Sequence, residues 1–518
     1  MTHCKNSFRN ALMLFLSGVM LCTVTYAAKA PLQTIDSGIT GDCTWTLTGP
    51  SGDYTLTIAG NGAMGNYDYD GSPWYQYRYS IKTAVIRNGV TAIGREAFNN
   101  CHGLTSMRIP NSVTTIGDAA FFGCIDLTSV SIPNSVTRIG AGAFCGCIDL
   151  PSVSIPNSVT TIGDEAFYGC RSLTSIIIPN SITTIGREAF WGCNGLTSVS
   201  IPNSVTTIGD KAFDGCSSLT SVLIPNSVTI IGVFAFYNCT GLTSVSIPNS
   251  VTTINNGAFG GCPGLTSIHT DSDNTEYSSE NGVLFNKNKT MLVSYPGGKT
   301  GSYIIPNSVT TIDDYAFTEC TGLTSVTIPN SVAIVGDRAF TGCTGLTSVN
   351  IPDSVTTIGN EVFNSCVNLT SVSIPNSVTT IGDLAFGGCS SLTSVNIPNS
   401  VVKIGQFAFY NCTGLISVNI PNSVTTIGNG AFTECTGLTS VTLPNSITTI
   451  GYGAFNRCGG LTVTNLNPTP QNIAKDVFAG IDISDCTLKV PASAVDVYKA
   501  APVWKKFGKI TAISDEDE

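Results

Sequence analysis

Residues 196–216 read LTSVSIPNSVTTIGDKAFDGC, and near-copies of this stretch fill most of a chain of 518 residues. The copies align on a proline that recurs every 23 residues in two blocks. Between Pro248 and Pro306 the step is 58 residues, which is one ordinary unit plus one unit lengthened by 12 residues. The sequence therefore predicts one long repeat array. The aligned prolines are Pro110, Pro133, Pro156, Pro179, Pro202, Pro225, Pro248, Pro306, Pro329, Pro352, Pro375, Pro398, Pro421 and Pro444.

Each unit contains two short extended pieces and a compact turn. In LTSVSI the last two apolar residues alternate with polar ones, as in a half-buried strand. Pro202 ends that strand because its ring nitrogen carries no hydrogen to donate, and SVTTI follows as a second extended piece. The segment GDEAFYGC at 163–170 is too short for a lone helix, so we expect a single α or 3₁₀ turn that points its Ala, Phe and Cys inward.

One unit cannot form a core alone, whereas stacked units share a continuous one with ladders of identical side chains. The pattern predicts a β-rich α/β solenoid of 23-residue rungs with a cap at each end. The expected divisions are a signal peptide at 1–27, an N-terminal cap module at 28–80 and the solenoid at 81–463. Within it, 269–303 is the lengthened, hairpin-bearing rung. Residues 464–518 are a degenerate last rung, a C-terminal cap and an acidic tail.

The first residues have the pattern of an export signal. Lys5 and Arg9 precede an apolar stretch at 11–21, and small residues follow at Ala27 and Ala28. We expect cleavage near Ala27 and a secreted or cell-surface protein. The alternatives are a membrane anchor, for which the stretch is short, and lipidation at Cys22, which a bulky preceding leucine disfavours. No second apolar span follows, so no transmembrane segment is expected in the mature chain.

Composition argues against several classes of function. Only 11% of residues are charged, the formal net charge is −10, and no basic cluster occurs, so nucleic acid is not expected as a partner. The chain has three histidines and neither a GxSxG nor an HExxH motif. The GxGxxG match at 60–65 runs into no helix and is interpreted as a glycine-rich turn. We therefore expect no enzyme activity, no metal site and no cofactor.

Twenty cysteines raise the question of disulfides in an exported chain. Fifteen recur at one position of the rung, where stacking gives parallel Cβ vectors about 4.8 Å apart, a geometry unsuited to a disulfide. We expect buried thiols there, and leave open whether Cys43, Cys145 and Cys486 form disulfides. The ladder comprises Cys101, Cys124, Cys147, Cys170, Cys193, Cys216, Cys239, Cys262, Cys320, Cys343, Cys366, Cys389, Cys412, Cys435 and Cys458.

Aromatic residues gather at both ends of the array. They are interpreted as caps that cover the terminal rungs, with a carbohydrate or protein contact patch as the alternative. The N-terminal group is Tyr67, Tyr69, Trp74, Tyr75, Tyr77 and Tyr79, and the C-terminal group is Tyr498, Trp504 and Phe507, together with the aliphatic Val497.

The position just before Ile-Pro varies between rungs and should point outward, which makes it the best candidate for partner contact. It includes Ile177 and Leu223 among mostly hydroxyl and amide side chains. The predicted contact residues on this face are Arg108, Ser131, Ser154, Ser200, Ser246, Thr327, Asn350, Ser373, Asn396 and Asn419. A second candidate is the hairpin tip with Asn286, Lys287 and Lys289. The competing interpretations are a plain solvated face and a spacer rung.

The motif LTSVxIPNSVTTIGxxAFxxC resembles the BspA-like leucine-rich repeat family of secreted bacterial surface antigens, over roughly residues 81–463. The flanking stretches at 41–65, 281–298 and 487–510 are also similar to segments of that family. The resemblance implies adhesion, with host matrix or cell-surface proteins or glycans as partners. An envelope spacer without a specific ligand is the main alternative, and ice binding by threonine ladders is a third.

Overall fold

A computed structural model describes residues 33–514, so the predicted signal peptide at 1–27 and the acidic residues at 515–518 lie outside the described residues. The chain begins with an antiparallel meander that leads into the first rung. The third strand of this meander then pairs in parallel with the first rung strand. The meander elements are β1 Thr34–Thr40, β2 Cys43–Thr48, β3 Tyr54–Gly60 and β4 Gly62–Ala63, with a 3₁₀ turn at Tyr75–Tyr77.

Each rung then adds one strand to a first face, called here the first sheet, and one strand of two to four residues to a second. Strand pairing is interrupted in places, so each face comprises several shorter sheets. Residues of the rung at Leu223 contribute only an isolated bridge from Val222 to Val245 on the first sheet. The strands of these rungs are β5 Ile81–Ile86, β6 Val90–Ile93, β7 Ser106–Arg108, β8 Thr115–Ile116, β9 Ser129–Ser131, β10 Arg138–Ile139, β11 Ser152–Ser154, β12 Thr161–Ile162, β13 Ser175–Ile177, β14 Thr184–Ile185, β15 Ser198–Ser200, β16 Thr207–Ile208, β17 Ile230–Ile231, β18 Ser244–Ile247 and β19 Thr253–Ile254.

The lengthened rung contains antiparallel pairs inserted between the two halves of the array. Strand β22 pairs antiparallel with β21 on one side and with β23 on the other. In the next rung, β23 then pairs in parallel with the strand Thr311–Ile312, and β24 pairs in parallel with the strand Leu323–Thr327. The core divides here, because Leu284 and Val293 pack with the first half and Phe285 and Leu292 with the second. The strands are β20 Ser267–Thr270, β21 Tyr277–Glu280, β22 Val283–Asn286, β23 Met291–Ser294 and β24 Gly301–Ile304.

The second half repeats the first and ends in a module with one six-residue α-helix, the only α-helix among residues 33–514. Its elements are β25 Thr311–Ile312, β26 Leu323–Thr327, β27 Ile334–Val335, β28 Ser348–Asn350, β29 Thr357–Ile358, β30 Ser371–Ser373, β31 Thr380–Ile381, β32 Ser394–Asn396, β33 Lys403–Ile404, β34 Ser417–Asn419, β35 Thr426–Ile427, β36 Ser440–Leu443, β37 Thr449–Ile450, β38 Thr462–Asn465, β39 Thr487–Val490, α1 Val495–Ala500 and β40 Lys509–Ala512, with 3₁₀ turns at Ile483–Asp485, Ala492–Ala494 and Trp504–Lys506.

Identical residues stack on identical residues along the array, which confirms the predicted solenoid. Ser152, Ser175 and Ser198 are paired in register on the first sheet. Inside, the Phe144 and Phe167 rings stack with centroids 5.4 Å apart and planes 4° from parallel. Because every rung offers the same apolar side chains at the same positions, the core is a continuous column within each half of the array.

The turn segment agrees in part with the expected single α or 3₁₀ turn, because Tyr168 N–H donates to the Glu165 carbonyl at 3.0 Å and Cys170 N–H donates to the Phe167 carbonyl at 3.3 Å. Glu165 with φ 60° and Gly169 with φ 67° are left-handed, so these bonds do not continue into a helical run. The alternate amides donate instead to the following rung, as Phe167 N–H does to the Ala189 carbonyl at 2.9 Å. The stacking of rungs therefore takes precedence over local helix formation. The predicted inward direction of Ala166, Phe167 and Cys170 is confirmed, since all three are buried.

Candidate interaction surface

The ten predicted contact residues on the first sheet all point outward and are exposed. They share one register position, as the pairs Arg108 with Ser131, Asn350 with Ser373, and Asn396 with Asn419 show. Neighbouring strands of a sheet lie about 4.8 Å apart, so these side chains form a column along the array. We call this column the outward column; it presents mainly hydroxyl and amide groups.

Several further residues belong to the outward column and were not recognised from the sequence. Val85 pairs with Arg108, and Thr442 pairs with Asn419. Ile304 pairs with Thr327, and His269 pairs with Ser246. Ile304 carried a usable signal, because it directly precedes Ile305 and Pro306 as its equivalents do in other rungs. His269 carried none, since no Ile-Pro follows it and only strand register assigns it to the column.

The outward column is interrupted by aliphatic side chains on either side of Ser200. Ile177 is 72% exposed and Leu223 is 77% exposed. Together with the adjoining Ile-Pro-Asn segments they line an open groove of about 860 Å³. Exposed large aliphatic residues on an otherwise polar face are informative, because water does not favour them there.

Amide groups border this groove. Asn180, Asn203 and Asn226 are exposed in three successive rungs and line the groove beside the aliphatic pair. No side-chain hydrogen bond within residues 33–514 engages them, in contrast to the neighbouring serines, where Ser204 Oγ donates to the Ile182 carbonyl at 2.6 Å. The asparagines therefore offer a row of free donors and acceptors next to apolar surface.

The threonines that flank the outward column are engaged within the solenoid. Thr197 Oγ1 donates to the Thr174 carbonyl at 3.0 Å, and Thr174 Oγ1 donates to the Pro151 carbonyl at 3.2 Å. Similar bonds recur in the second half, as from Thr370 Oγ1 to the Thr347 carbonyl at 3.0 Å. These hydroxyls thus contribute to rung stacking, and their hydrogens are not directed at solvent.

The hairpin residues are largely used by the hairpin itself. Asn286 Oδ1 accepts from the backbone amides of Thr290 and Met291 at 2.8 and 2.9 Å, which closes the turn. Lys287 Nζ donates to the Asn274 carbonyl, and Lys289 Nζ lies 2.7 Å from a Glu280 carboxylate oxygen. The structure places these three residues away from the outward column, in a locally satisfied tip.

The terminal aromatic residues divide between the two interpretations. Trp74 is fully buried, packs edge-on against Trp45 and Tyr67, and donates from Nε1 to the Ala97 carbonyl at 2.8 Å. It covers the first phenylalanine of the ladder, as predicted for a cap. Tyr69 and Tyr79 are instead exposed. At the other end Tyr498, Trp504 and Phe507 are buried around Phe478, and Val497 is exposed.

A second cluster, on the turn side of the rungs, was not anticipated from the sequence. The Tyr168 and Trp191 rings stack 4.3 Å apart, and Trp191 Nε1 donates to Asp214 Oδ2 at 3.0 Å. Burial raises the pKa of Asp214 to about 6, against the opposing effect of that indole donor. These residues directly follow the ladder phenylalanine in their rungs.

The ladder cysteines are free and buried, as predicted. Cys43, Cys145 and Cys486 are free and buried as well. In a typical rung the thiol bonds to the preceding rung, as Cys216 Sγ does to the Phe190 carbonyl at 3.2 Å. Burial raises the pKa of the Cys193 and Cys262 thiols to about 12, which keeps them protonated and unreactive. Residues 33–514 contain no group of three or more His, Cys, Asp or Glu placed to hold a metal ion, and no helix among them is long and apolar enough to cross a membrane.

Comparisons with known proteins agree with this architecture. The model of the BspA type leucine-rich repeat region matches residues 71–197, 160–289, 295–401 and 379–498. A leucine-rich repeat protein from Eubacterium ventriosum is 28% identical with a TM-score of 0.50, covering 85% of this chain and 98% of its own.

Two other solved structures are similar in sequence along most of their length. A leucine-rich repeat protein from Bacteroides ovatus is 30% identical, with coverages of 78% of this chain and 94% of its own and a TM-score of 0.44. A leucine-rich cell surface protein from Faecalibacterium prausnitzii is 28% identical, with coverages of 82% and 96% and a TM-score of 0.47. No curated protein sequence gives a significant match to this chain.

Proposed function

The chain belongs to the BspA-type leucine-rich repeat family, and on that premise we propose that it is a secreted or cell-surface protein that adheres to host proteins, matrix or other cells through its first sheet. The export pattern at 1–27 supports an extracellular location. The long outward column supports broad contact rather than a single deep pocket. Such a surface suits multivalent binding, in which many modest contacts add up to firm adhesion.

The observation that carries this proposal is the groove around Ser200. Ile177 and Leu223 are almost fully presented to solvent in a column where the rungs on either side have serine. Burying each of these side chains against a partner stabilises a complex by roughly 1.5–3 kcal/mol. The free amides of Asn180, Asn203 and Asn226 lie close enough to bond polar groups of the same partner. Apolar and amide groups side by side favour a protein ligand over a glycan.

The test compares binding of the parent chain and two groove variants to immobilised matrix proteins and cells. Ile177→Ser and Leu223→Ser introduce the residue that neighbouring rungs already carry, so they leave the fold intact. Each is expected to weaken binding by roughly tenfold or more, the equivalent of losing about 1.4 kcal/mol. The matched control is Ile334→Thr, which removes an exposed isoleucine from the second sheet and introduces the residue that Thr311 supplies at the paired position of the preceding rung.

The outcomes distinguish adhesion from its main alternative. Loss of binding in both groove variants with the control unchanged supports the proposal. Binding that survives both substitutions assigns adhesion to another surface, such as the hairpin tip, and contradicts the role of the groove. A parent chain that binds no protein, matrix or cell across a broad panel would favour an envelope spacer without a specific ligand.

A further inference from the structure

Two arginines of the first sheet share a groove and have no partner in it. Residues 33–514 contain nine arginines. Five of them pair with a carboxylate, and Arg78 lies over two tyrosine rings. Among the described residues, no ion pair or hydrogen bond engages the guanidinium groups of the other three, Arg87, Arg108 and Arg171. Arg87 and Arg108 line one open groove of about 330 Å³, and Arg171 lies outside it.

The strands place both side chains of this pair on the outer face. Arg108 is the last residue of β7 and pairs in register with Val85 of β5. Arg87 follows two residues after Val85, and its amide donates to the Ile58 carbonyl at 2.9 Å, so the backbone there still belongs to the sheet. Alternation about the buried Ile86 directs Arg87 outward, and both arginines are exposed. A strand separation of about 4.8 Å and two residues of about 3.3 Å each place the two Cα atoms roughly 8 Å apart, within reach of one ligand.

The rest of the groove is polar and contains no carboxylate. Asn88 and Asn111 are its other exposed residues, and their side chains make no hydrogen bond to any other residue between 33 and 514. The apolar residues of the lining are buried, apart from the half-buried Val85. On the neighbouring strands, Thr57 and Ser131 add hydroxyl groups and no charge.

The charge of the pair selects an oxyanion. The formal net charge of the chain is −10, yet nothing in the groove neutralises the two guanidinium groups. Like charges at this separation repel one another, and an anion bound between them replaces that repulsion with attraction. The planar fork of a guanidinium group donates two parallel hydrogen bonds to the oxygens of an acidic group. The groove is therefore suited to a ligand that carries such groups.

The surroundings favour an acidic glycan over an acidic protein. The centre of a protein interface is usually anchored by apolar or aromatic side chains, and this groove exposes no large apolar residue to receive them. The exposed aliphatic side chains of the column begin at Ile177, three rungs further along. Free amide groups can both donate to and accept from sugar hydroxyls. A nucleic acid would require a longer basic surface than two arginines provide.

We propose that Arg87 and Arg108 form a subsite for the carboxylate or sulfate groups of an acidic glycan. Asn88 and Asn111 bond the sugar hydroxyls beside the acidic group. The inference rests on the proposed adhesive role of the first sheet, and it adds a second class of ligand at a separate place on that sheet. Extracellular material that contains proteins and acidic glycans then offers both contacts to one face of the solenoid.

The test measures binding of the chain lacking residues 1–27 to immobilised heparin, hyaluronate and dextran. Heparin carries sulfate and carboxylate groups, hyaluronate carries carboxylates only, and dextran is neutral. Binding to at least one acidic glycan and not to dextran is expected, and salt should weaken it by screening the charges. Binding to heparin alone identifies sulfate as the recognised group, whereas binding to hyaluronate shows that a carboxylate is sufficient.

Two substitutions address the arginines, and a third is the matched control. Arg108→Ser introduces the residue that Ser131 supplies in the next rung, and Arg87→Gln keeps the backbone amide that pairs with Ile58. Each is expected to weaken glycan binding by roughly fivefold to tenfold, because a charged hydrogen-bond donor is lost. Arg171→Ser removes one unpartnered arginine outside the groove and introduces the residue found after the ladder cysteine at Ser217, so binding should stay at the parental level. Circular dichroism verifies that all three variants fold.

Several outcomes would overturn the proposal. A parent chain that binds neither acidic glycan does so, and arginine-dependent binding of polyglutamate in that case assigns the groove to an acidic protein. Glycan binding that survives both groove substitutions, or that falls equally with Arg171→Ser, also contradicts the subsite. The result is separable from the proposed protein contact: binding of purified matrix protein without glycan binding overturns this inference alone, whereas arginine-dependent glycan binding by a chain that binds no purified protein contradicts only the protein contact.

Discussion

Ala119 and Gly142 occupy the same position in adjacent rungs, and exchanging their side chains tests the backbone geometry of the turn. In all fifteen rungs with a ladder cysteine, the residue five places before that cysteine is left-handed, and eleven of them are not glycine. Ala119 has φ 50° and Gly142 has φ 59°. The two substitutions, Ala119→Gly and Gly142→Ala, should therefore change stability in opposite directions.

The magnitude follows from two opposing effects. The left-handed conformation costs an L-residue about 1–2 kcal/mol, which Ala119→Gly removes. Glycine also has more conformational freedom than alanine in the unfolded chain. The loss of that freedom on folding offsets about 0.5–1 kcal/mol of this stabilisation. We expect Ala119→Gly to stabilise the fold by about 0.5–1 kcal/mol and Gly142→Ala to destabilise it by a similar amount. Steric clash adds nothing, because the nearest atom to a Cβ on Gly142 is the Cys145 Cβ at 3.8 Å.

Guanidinium unfolding followed by circular dichroism measures the free-energy change, and amide exchange in the two rungs locates it. The double variant serves as the control, since the two effects should cancel to within about 0.5 kcal/mol. The geometric reasoning is refuted if Ala119→Gly proves no more stable than the parent chain and Gly142→Ala loses nothing.

Three further perturbations test the core and the turn-side cluster. Phe213→Ala should cost about 3–5 kcal/mol in the free energy of unfolding and Phe213→Leu less than about 1.5, because the first leaves a cavity in the ring ladder; equal losses would contradict the stacked core. A thiol reagent at pH 8 should leave the buried cysteines of the native chain unmodified and label most of the eighteen mature cysteines only after non-reducing denaturation; ready native labelling, or fewer than half free after denaturation, would contradict buried free thiols. Asp214→Asn should raise the melting temperature at pH 8, because burial raises the folded-state pKa of Asp214 from its ordinary 3.8 to about 6, and the cost of ionising it grows between these pH values and is complete above pH 6; the gain should shrink as pH falls toward 4, and a gain that is constant with pH would argue against this burial effect.

The strict period made most of the fold accessible from the sequence. A proline every 23 residues, with Leu, Val, Ile, Phe and Cys at fixed distances from it, predicts stacked rungs because only neighbours can complete each core. Residues such as Ser131 and Asn396 could be assigned to the exposed face for the same reason, since alternation along a strand fixes which side chains point out. The family resemblance rested on the same repeated residues.

Several features of the surface could not be predicted from the amino-acid sequence. Ile177 and Leu223 could be placed in the outward column, but a groove bordered by free amides depends on how three rungs and their Pro-Asn turns fit together. His269 required strand register, because the lengthened rung breaks the spacing that aligns the others. The pairing of Trp191 with Asp214 lies between rungs and depends on side-chain conformations that no pattern encodes.

The sequence by itself determined the period, the inward ladders and the outward face, since these follow from apolar spacing alone. Only the tertiary structure decided the conformation of the turns and the state of the two ends. In the turns, alternate amides bond to the next rung rather than within the segment, and left-handed residues such as Glu165 prevent a helical run. At the ends, an antiparallel meander replaces the rung pattern before β5, and β39 and β40 continue the parallel pairing after β38 without the repeat motif. Both outcomes depend on contacts with adjacent rungs, which the sequence of one rung does not contain.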